Sequence, residues 1–173
     1  MADAADRRAR LTKDPLPPTT REIAAVTVRA AGHDDLPDAV RLYQQLHPEL
    51  DLRVDEAVAA AWAATLATPG RTVLLAEVGG VVVGTADLTV LANAARAGRP
   101  YLLVENVVVD AGARRTGVGR ALLAAARAHG EAAGCYKLQL SADDPAAFAF
   151  YEAAGLAAAA RTYKQYLDDD GRS

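Results

Sequence analysis

The segment VENVVVDAGARRTGVGRAL, residues 104–122, constrains what this chain can fold into more than any other. A hydrophobic strand ends at Asp110, a short turn carries Arg114 and Arg115, and Gly117-Val118-Gly119 opens an alanine-rich helix. The first N–H groups of a helix have no partner within it, and glycine there lets the backbone come close to a ligand. The same end carries the positive pole of the helix dipole, to which Arg114, Arg115 and Arg120 add countercharge. A strand–turn–helix of this kind predicts a site for phosphate groups. The nucleotide-binding Gly-x-x-x-x-Gly-Lys-Ser/Thr loop is absent, as is the third glycine of the dinucleotide fingerprint. A bare Gly-x-Gly also fits a plain strand-to-helix turn with solvated arginines, so the rest of the chain has to decide.

With 173 residues, 51% of them hydrophobic and 24% charged, the chain can build one domain whose core needs neither a disulfide nor a metal. Its net charge of −3 argues against coating nucleic acid, which calls for a basic excess. One cysteine, Cys135, excludes a disulfide framework, and three scattered histidines (His33, His47, His129) offer no metal-binding spacing. No metal is expected. No apolar run approaches the ~18 residues of a membrane span, and the charged start of the chain lacks an apolar signal core. The expected address is the cytoplasm, without membrane or nucleic-acid partners.

Residues 1–22 mix charge, alanine and proline without periodicity and are expected to be a flexible tail; residues 168–173 read as a solvated end. Between them, residues 23–167 read as one α/β domain. A strand over 23–29 leads into a helix marked by Leu36, Ala39, Val40, Tyr43 and Leu46 at helical spacing, and a second helix runs from about 55 to 66. Strands over 72–77 and 81–91 are joined at Gly79-Gly80, a hairpin signal. Residues 101–109 read as a central strand covered on both faces, 117–133 as a long helix ended by Gly134, and 136–140 as another strand. A short helix over 145–154 and two closing strands, 156–160 and 162–167, complete the order. The sum is a mixed sheet with helices.

At this point the chain resembles the GCN5-related N-acetyltransferase (GNAT) superfamily. Arg114-Arg115-Thr116-Gly117-Val118-Gly119 is similar to that family's Arg/Gln-x-x-Gly-x-Gly/Ala pyrophosphate loop. Residues 144–156, from Asp144 through Phe148, Phe150 and Tyr151 to Gly155 and Leu156, resemble its second signature, Asn-x-x-Ala-x-x-Phe-Tyr-x-x-x-Gly-Phe, about 30 residues further on. The resemblance covers roughly residues 23–167. It implies a single-domain α+β fold: a mixed, mostly antiparallel twisted sheet of about seven strands, helices on both faces, and splayed central strands. It also implies acetyl-CoA as co-substrate. The backbone of Val107, Val108 and Val109 would hold the pantetheine arm, and amides of Arg114, Arg115, Thr116, Gly117, Val118, Gly119 and Arg120 the pyrophosphate. Two positions depart from the pattern. Asp144 stands where Asn is common, and a carboxylate cannot donate; Leu156 stands for Phe.

The implied reaction is N-acetylation of the primary amine of a small molecule by direct attack in a ternary complex. A protein or peptide N-acetyltransferase, or a non-catalytic acyl-CoA-binding regulatory module, are the alternatives. A homodimer is consistent with the resemblance alone. Amines titrate near pH 10, so a proton must leave before attack. Glu105 is the expected base, acting directly or through water. Alternation along the strand puts it beside Leu103, Val107 and Val109, where desolvation is expected to raise its pKa. Tyr151 matches the family tyrosine that serves the CoA sulfur and is the expected acid, and a backbone N–H near Val107 the oxyanion donor. Cys135 reads as an inert thiol. Tyr43 and His47 could line the acceptor side, with Glu49, Asp51 and Asp55 in the loop that follows. The run Gly134-Cys135-Tyr136-Lys137 resembles glucosamine-phosphate acetyltransferases, yet it is shared too widely to name a sugar phosphate.

Overall fold

The alternation and helical spacing described above become real elements in a computed structural model that describes residues 25–163. β1 (Val26–Ala30) is followed by α1 (Leu36–Leu46) and α2 (Glu56–Ala67). β2 (Arg71–Val78) and β3 (Val81–Leu91) form the hairpin, and β4 (Tyr101–Val109) leads to α3 (Val118–Ala132); β5 (Leu138–Leu140) and α4 (Pro145–Ala153) follow. Among the described residues the sheet has five strands in the order β1-β2-β3-β4-β5. The first four pair antiparallel, and β5 lies parallel to β4. Gly79 and Gly80 have φ of +60° and +80°, the left-handed pair that a two-residue hairpin turn needs.

Period-two alternation sends side chains to opposite faces of the sheet. Leu74, Ala86, Leu88, Leu102 and Val104 pack with Val118, Leu122 and Ala126 of α3. The other face carries Val73, Leu75 and Val108 against α1 residues Ala39, Val40 and Leu42 and against Trp62 of α2. Helices therefore cover both faces. α3 sits close to the backbone of β3, because a Cβ on Gly84 would stand 2.9 Å from Val118 Cγ1.

The expected seventh-strand architecture needs correction. Residues 156–160 form no strand, and residues 157–163 are exposed. The run Ala157 to Ala160 has low strand propensity and no side chain large enough to hold it on a sheet. Of the other closing strand, 162 and 163 are not strand, and 164–167 lie outside the described residues. The same holds for residues 23 and 24 of the first strand, the tail 1–22 and the end 168–173.

Candidate active site

The site begins with an irregularity in β4. Thr85 pairs with Val108 but Asp87 pairs with Glu105, so β4 holds one residue more than β3 across this step. That is a β-bulge. Asn106 takes it up at φ +49°, a conformation that Asn tolerates better than β-branched valine. The extra residue reverses the alternation. Val107 and Val109 pack toward α3, while Val108 joins Leu42 and Leu75 on the opposite face, the face that Asp87 and Glu105 share. The expected company of Glu105 is thereby corrected: Val107 and Val109 are on the other side, and Glu105 is exposed rather than enclosed.

The β4–β5 ladder runs only from Leu102–Leu138 to Val104–Leu140. Beyond it the chain leaves β5 for α4, and residues 105–109 have no strand on that edge among the described residues. Pairing between the two strands thus stops next to Glu105, at the place where the resemblance implies a splay.

The phosphate-site candidates follow directly. Asp110 accepts from Gly112 N–H at 3.0 Å, and Arg41 and Gln45 of α1 reach its carboxylate at 2.9 and 3.1 Å. These bonds hold its carboxyl below the usual carboxylate range, the Gly112 N–H most of all. Gln45 Oε1 also accepts from Ala111 N–H at 3.1 Å, so α1 clamps the start of the loop. Arg114 folds back onto Val109 O (3.2 Å), Thr116 Oγ1 donates to Ala113 O (2.6 Å), and Arg115 adopts φ +65°. Gly117, with φ +98°, precedes α3 and faces open space. Arg114, Arg115, Thr116, Gly117 and Arg120 are exposed, whereas Val118 is buried in the core. Gly119 has a different reason: a Cβ there would stand 2.9 Å from Phe150 Cζ, so this glycine admits α4 against α3.

Tyr151 sits in the last turn of α4, its ring 5.1 Å from that of Phe150. It is half-buried, and that burial raises its pKa, keeping the phenol protonated. Asp144 caps α4 by accepting from Ala146 N–H at 2.8 Å, a role that Asp and Asn oxygens fill equally.

Sequence reasoning missed the most polar feature of the interior. Asp87 is 3% exposed. Its Oδ1 accepts from Tyr43 Oη at 2.8 Å, and its Oδ2 from Arg71 Nη2 and Asn106 Nδ2, each at 3.0 Å. Burial and the neighbouring carboxylate push the Tyr43 phenol well up, so it stays a donor. These four residues floor a cavity of about 160 Å³ whose walls include Leu36, Val40, Val58 and the indole of Trp62. The signal was there to find: Asp87 is the one ionisable residue in the eleven-residue run of β3. Tyr43 is thus placed at this cavity, whereas His47 instead approaches Glu49 at 3.3 Å. Asp51 pairs with Arg53 at 2.7 Å, and Asp55 caps α2 through Val58 N–H at 2.8 Å, so those two carboxylates of the loop act locally. Burial raises the Cys135 thiol, in keeping with an unreactive side chain. Lys137 Nζ lies 5.0 Å from the Tyr101 ring centroid.

No group of three or more metal-ligating side chains occurs among the described residues, and no helix there is long and apolar enough to cross a membrane. The profile of the Acetyltransferase (GNAT) family matches residues 33–156. Among solved structures, an acetyltransferase candidate from Agrobacterium tumefaciens str. C58 is 38% identical, with a TM-score of 0.78 over 81% of this chain and 99% of that one. A Trypanosoma brucei acetyltransferase is 26% identical, with a TM-score of 0.73 over 83% of this chain and 100% of its own. AAC(6')-Iy, solved with a CoA-based bisubstrate analogue, is 21% identical, with a TM-score of 0.71 over 84% and 99%. No curated protein matches the chain.

Proposed function

The chain belongs to the GNAT acetyltransferase family, and from that premise we propose that it transfers an acetyl group from acetyl-CoA to the primary amine of a small molecule. The observation that carries this reading is the adjacency of two features. β4 loses its β5 partner after Val104, and its far end feeds an exposed, glycine-preceded helix start flanked by arginines. A strand edge without a partner offers backbone groups to an extended pantetheine arm, and the helix start offers N–H groups and a positive pole to a pyrophosphate. The CoA-based ligand of AAC(6')-Iy lends support at the level of the fold.

In this reading Val107, Val108 and Val109 hold the pantetheine through their backbone. Amides from Arg114 to Arg120 hold the phosphates, with Arg114, Arg115 and Arg120 as countercharge. Acetyl-CoA supplies an activated thioester. Glu105 accepts the amine proton, directly or through water, and its exposure at the mouth of the splay suits the second route. The N–H of Val107, which has no register partner on β3, serves the oxyanion; one such donor is typically worth ~3 kcal/mol. Tyr151 delivers its phenolic proton to the departing sulfur. Cys135, whose thiol is pushed up by burial, is not used as an acetyl carrier, and transfer in this reading is direct.

The test is CoA thiol release from acetyl-CoA across amino acids, polyamines, amino sugars, aminoglycosides and short peptides. Amine-dependent release is expected. Silence across the panel with acetyl-CoA bound would instead favour a protein acceptor or a non-catalytic acyl-CoA sensor.

A further inference from the structure

The cavity between α1, α2 and the sheet reaches the same stretch of β4 that carries the proposed chemistry. Asn106 on its floor stands between Glu105 and Val107 in sequence, and Asp87 is the register partner of Glu105. Three properties of this cavity define what it can hold.

The polar floor is largely closed on itself. Asp87 has both oxygens bonded to Tyr43, Arg71 and Asn106, and its charge is cancelled by Arg71 at 3.0 Å. The indole N–H of Trp62 is taken by Gly32 O at 3.2 Å, so the ring offers the cavity an apolar surface. One buried side-chain donor on the floor, Arg71 Nε, has no partner among the described residues. Thr65 is the one further polar side chain on the lining, so a ligand with many hydroxyls would leave most of those it seats inside unbonded, which is unfavourable. The size is also restrictive. About 160 Å³ is close to the cavity of about 150 Å³ that takes a benzene-sized guest in an aliphatic and aromatic surround. Finally, the cavity is partly open to solvent beside the exposed Ala61, but its apolar walls over a floor of zero net charge favour an uncharged amine over its ammonium form, because desolvation disfavours charge. The neutral amine is the form that attacks.

We infer that the acceptor is a small primary amine bearing one compact aliphatic or aromatic group, seated in this cavity with its nitrogen toward residues 105–107. The inference rests on the acetyl-transfer reading above and names its acceptor class. The step balances: the amine nitrogen forms the new C–N bond, the C–S bond breaks, Glu105 receives the amine proton, and the sulfur takes one from Tyr151. Amino sugars and polyamines do not match the cavity.

Trp62 is the chain's only tryptophan and lines the cavity, so its fluorescence reports occupancy without catalysis. Full-length protein is titrated with 2-phenylethylamine, 3-methylbutylamine, glucosamine and spermidine, and thiol release from acetyl-CoA is followed with each. The two apolar amines are expected to give saturable fluorescence changes and kcat/KM values at least about 10-fold above the other two. Ala61, exposed on α2 at the cavity wall, is replaced in Ala61→Phe to narrow the cavity. This variant is expected to raise KM for the apolar amines about 10-fold and to leave CoA affinity by calorimetry unchanged. A fluorescence response equal for glucosamine, or no response to either apolar amine, overturns the inference. So does an Ala61→Phe protein with intact CoA binding and unaltered affinity for those amines. A selective fluorescence response without thiol release leaves the cavity assignment standing and overturns the acetyl-transfer reading instead.

Discussion

Glu105 and Asp87 are opposite partners in the β3–β4 ladder, yet one carboxylate is exposed and the other almost fully enclosed. Neighbours this close, with such different surroundings, have different tasks. Asp87 has every oxygen bonded within the fold, and of the two Glu105 is the one proposed to handle a substrate proton. Glu105→Gln is expected to lower kcat at neutral pH by about 10²- to 10⁴-fold, with CoA affinity unchanged. The loss should shrink as pH rises toward the amine's own pKa, because bulk water then does the deprotonation. A kcat–pH profile of the two proteins checks this, and parallel profiles would remove Glu105 from the role.

Asp87→Ala leaves Arg71 beside an apolar cavity without its partner. Breaking a fully buried ion pair on one side typically costs about 3–5 kcal/mol, and the partial exposure of Arg71 places the expected loss at or below the low end of that range. Urea denaturation should show a loss of about 2–3 kcal/mol, whereas Glu105→Gln, at an exposed position, should stay within about 0.5 kcal/mol of the parent.

At the bulge, Asn106→Ala and Asn106→Gly separate backbone from side chain. Both lose the 3.0 Å bond to Asp87, but only alanine must also hold φ near +49°, which costs about 1–2 kcal/mol in the left-handed region. The glycine variant is therefore expected to be the more stable of the two by roughly that amount, offset in part by glycine's larger loss of backbone freedom on folding. Equal midpoints in urea would mean that the left-handed backbone is not what Asn106 provides.

Gly117→Ala and Gly117→Glu address the helix start in the same manner. Gly117 has φ +98° and no neighbour within 4 Å, so alanine introduces strain and little else. Glutamate adds a negative charge where phosphates are proposed to sit. Calorimetry with CoA should show weakened binding for the first and none for the second; CoA binding that survives Gly117→Glu would displace the phosphate site from this loop.

Acid should loosen the same loop from its other end. The Asp110 carboxyl is held below its ordinary range in the folded protein, chiefly by Gly112 N–H and Gln45, with Arg41 adding to it. A depressed folded pKa means that the contribution is complete above the ordinary carboxylate range and is lost as pH falls through the folded value. Thermal unfolding of wild type and Asp110→Asn should therefore differ at pH 6, and the difference should shrink as pH falls below the ordinary carboxylate range.

Much of this was legible in the chain itself. The 104–122 segment announces its strand, loop and helix through residue types alone, and Gly79-Gly80, Gly134 and Gly155 mark turns that the structure places at positive φ. What escaped the sequence along β4 has one physical root. Strand alternation has a period of two, so a single inserted residue moves every later side chain to the other face. Only Asn106, a turn-tolerant residue among valines, hinted at the insertion, and the faces of Val107, Val108 and Val109 were inverted in consequence. The Asp87 cluster escaped for a related reason: its members come from α1, β2, β3 and β4, and no spacing along the chain records such a meeting. Gly119 was legible as a glycine but not for its reason, since Phe150 lies 31 positions away.

α1 faces two ways at once. Tyr43 stands in the Asp87 cluster, on the side proposed for the acceptor, while Arg41 and Gln45 grip Asp110 at the entry to the loop proposed for the phosphates. A substitution that shifts this helix to suit a new acceptor would also disturb its hold on Asp110 and with it the loop proposed for the co-substrate. α2 bears no such double duty, and Trp62 is its one buried side chain. Diversification of acceptor choice in chains of this design should therefore accumulate on α2, the wall that can be remodelled alone, while α1 changes slowly and in concert with the loop it anchors.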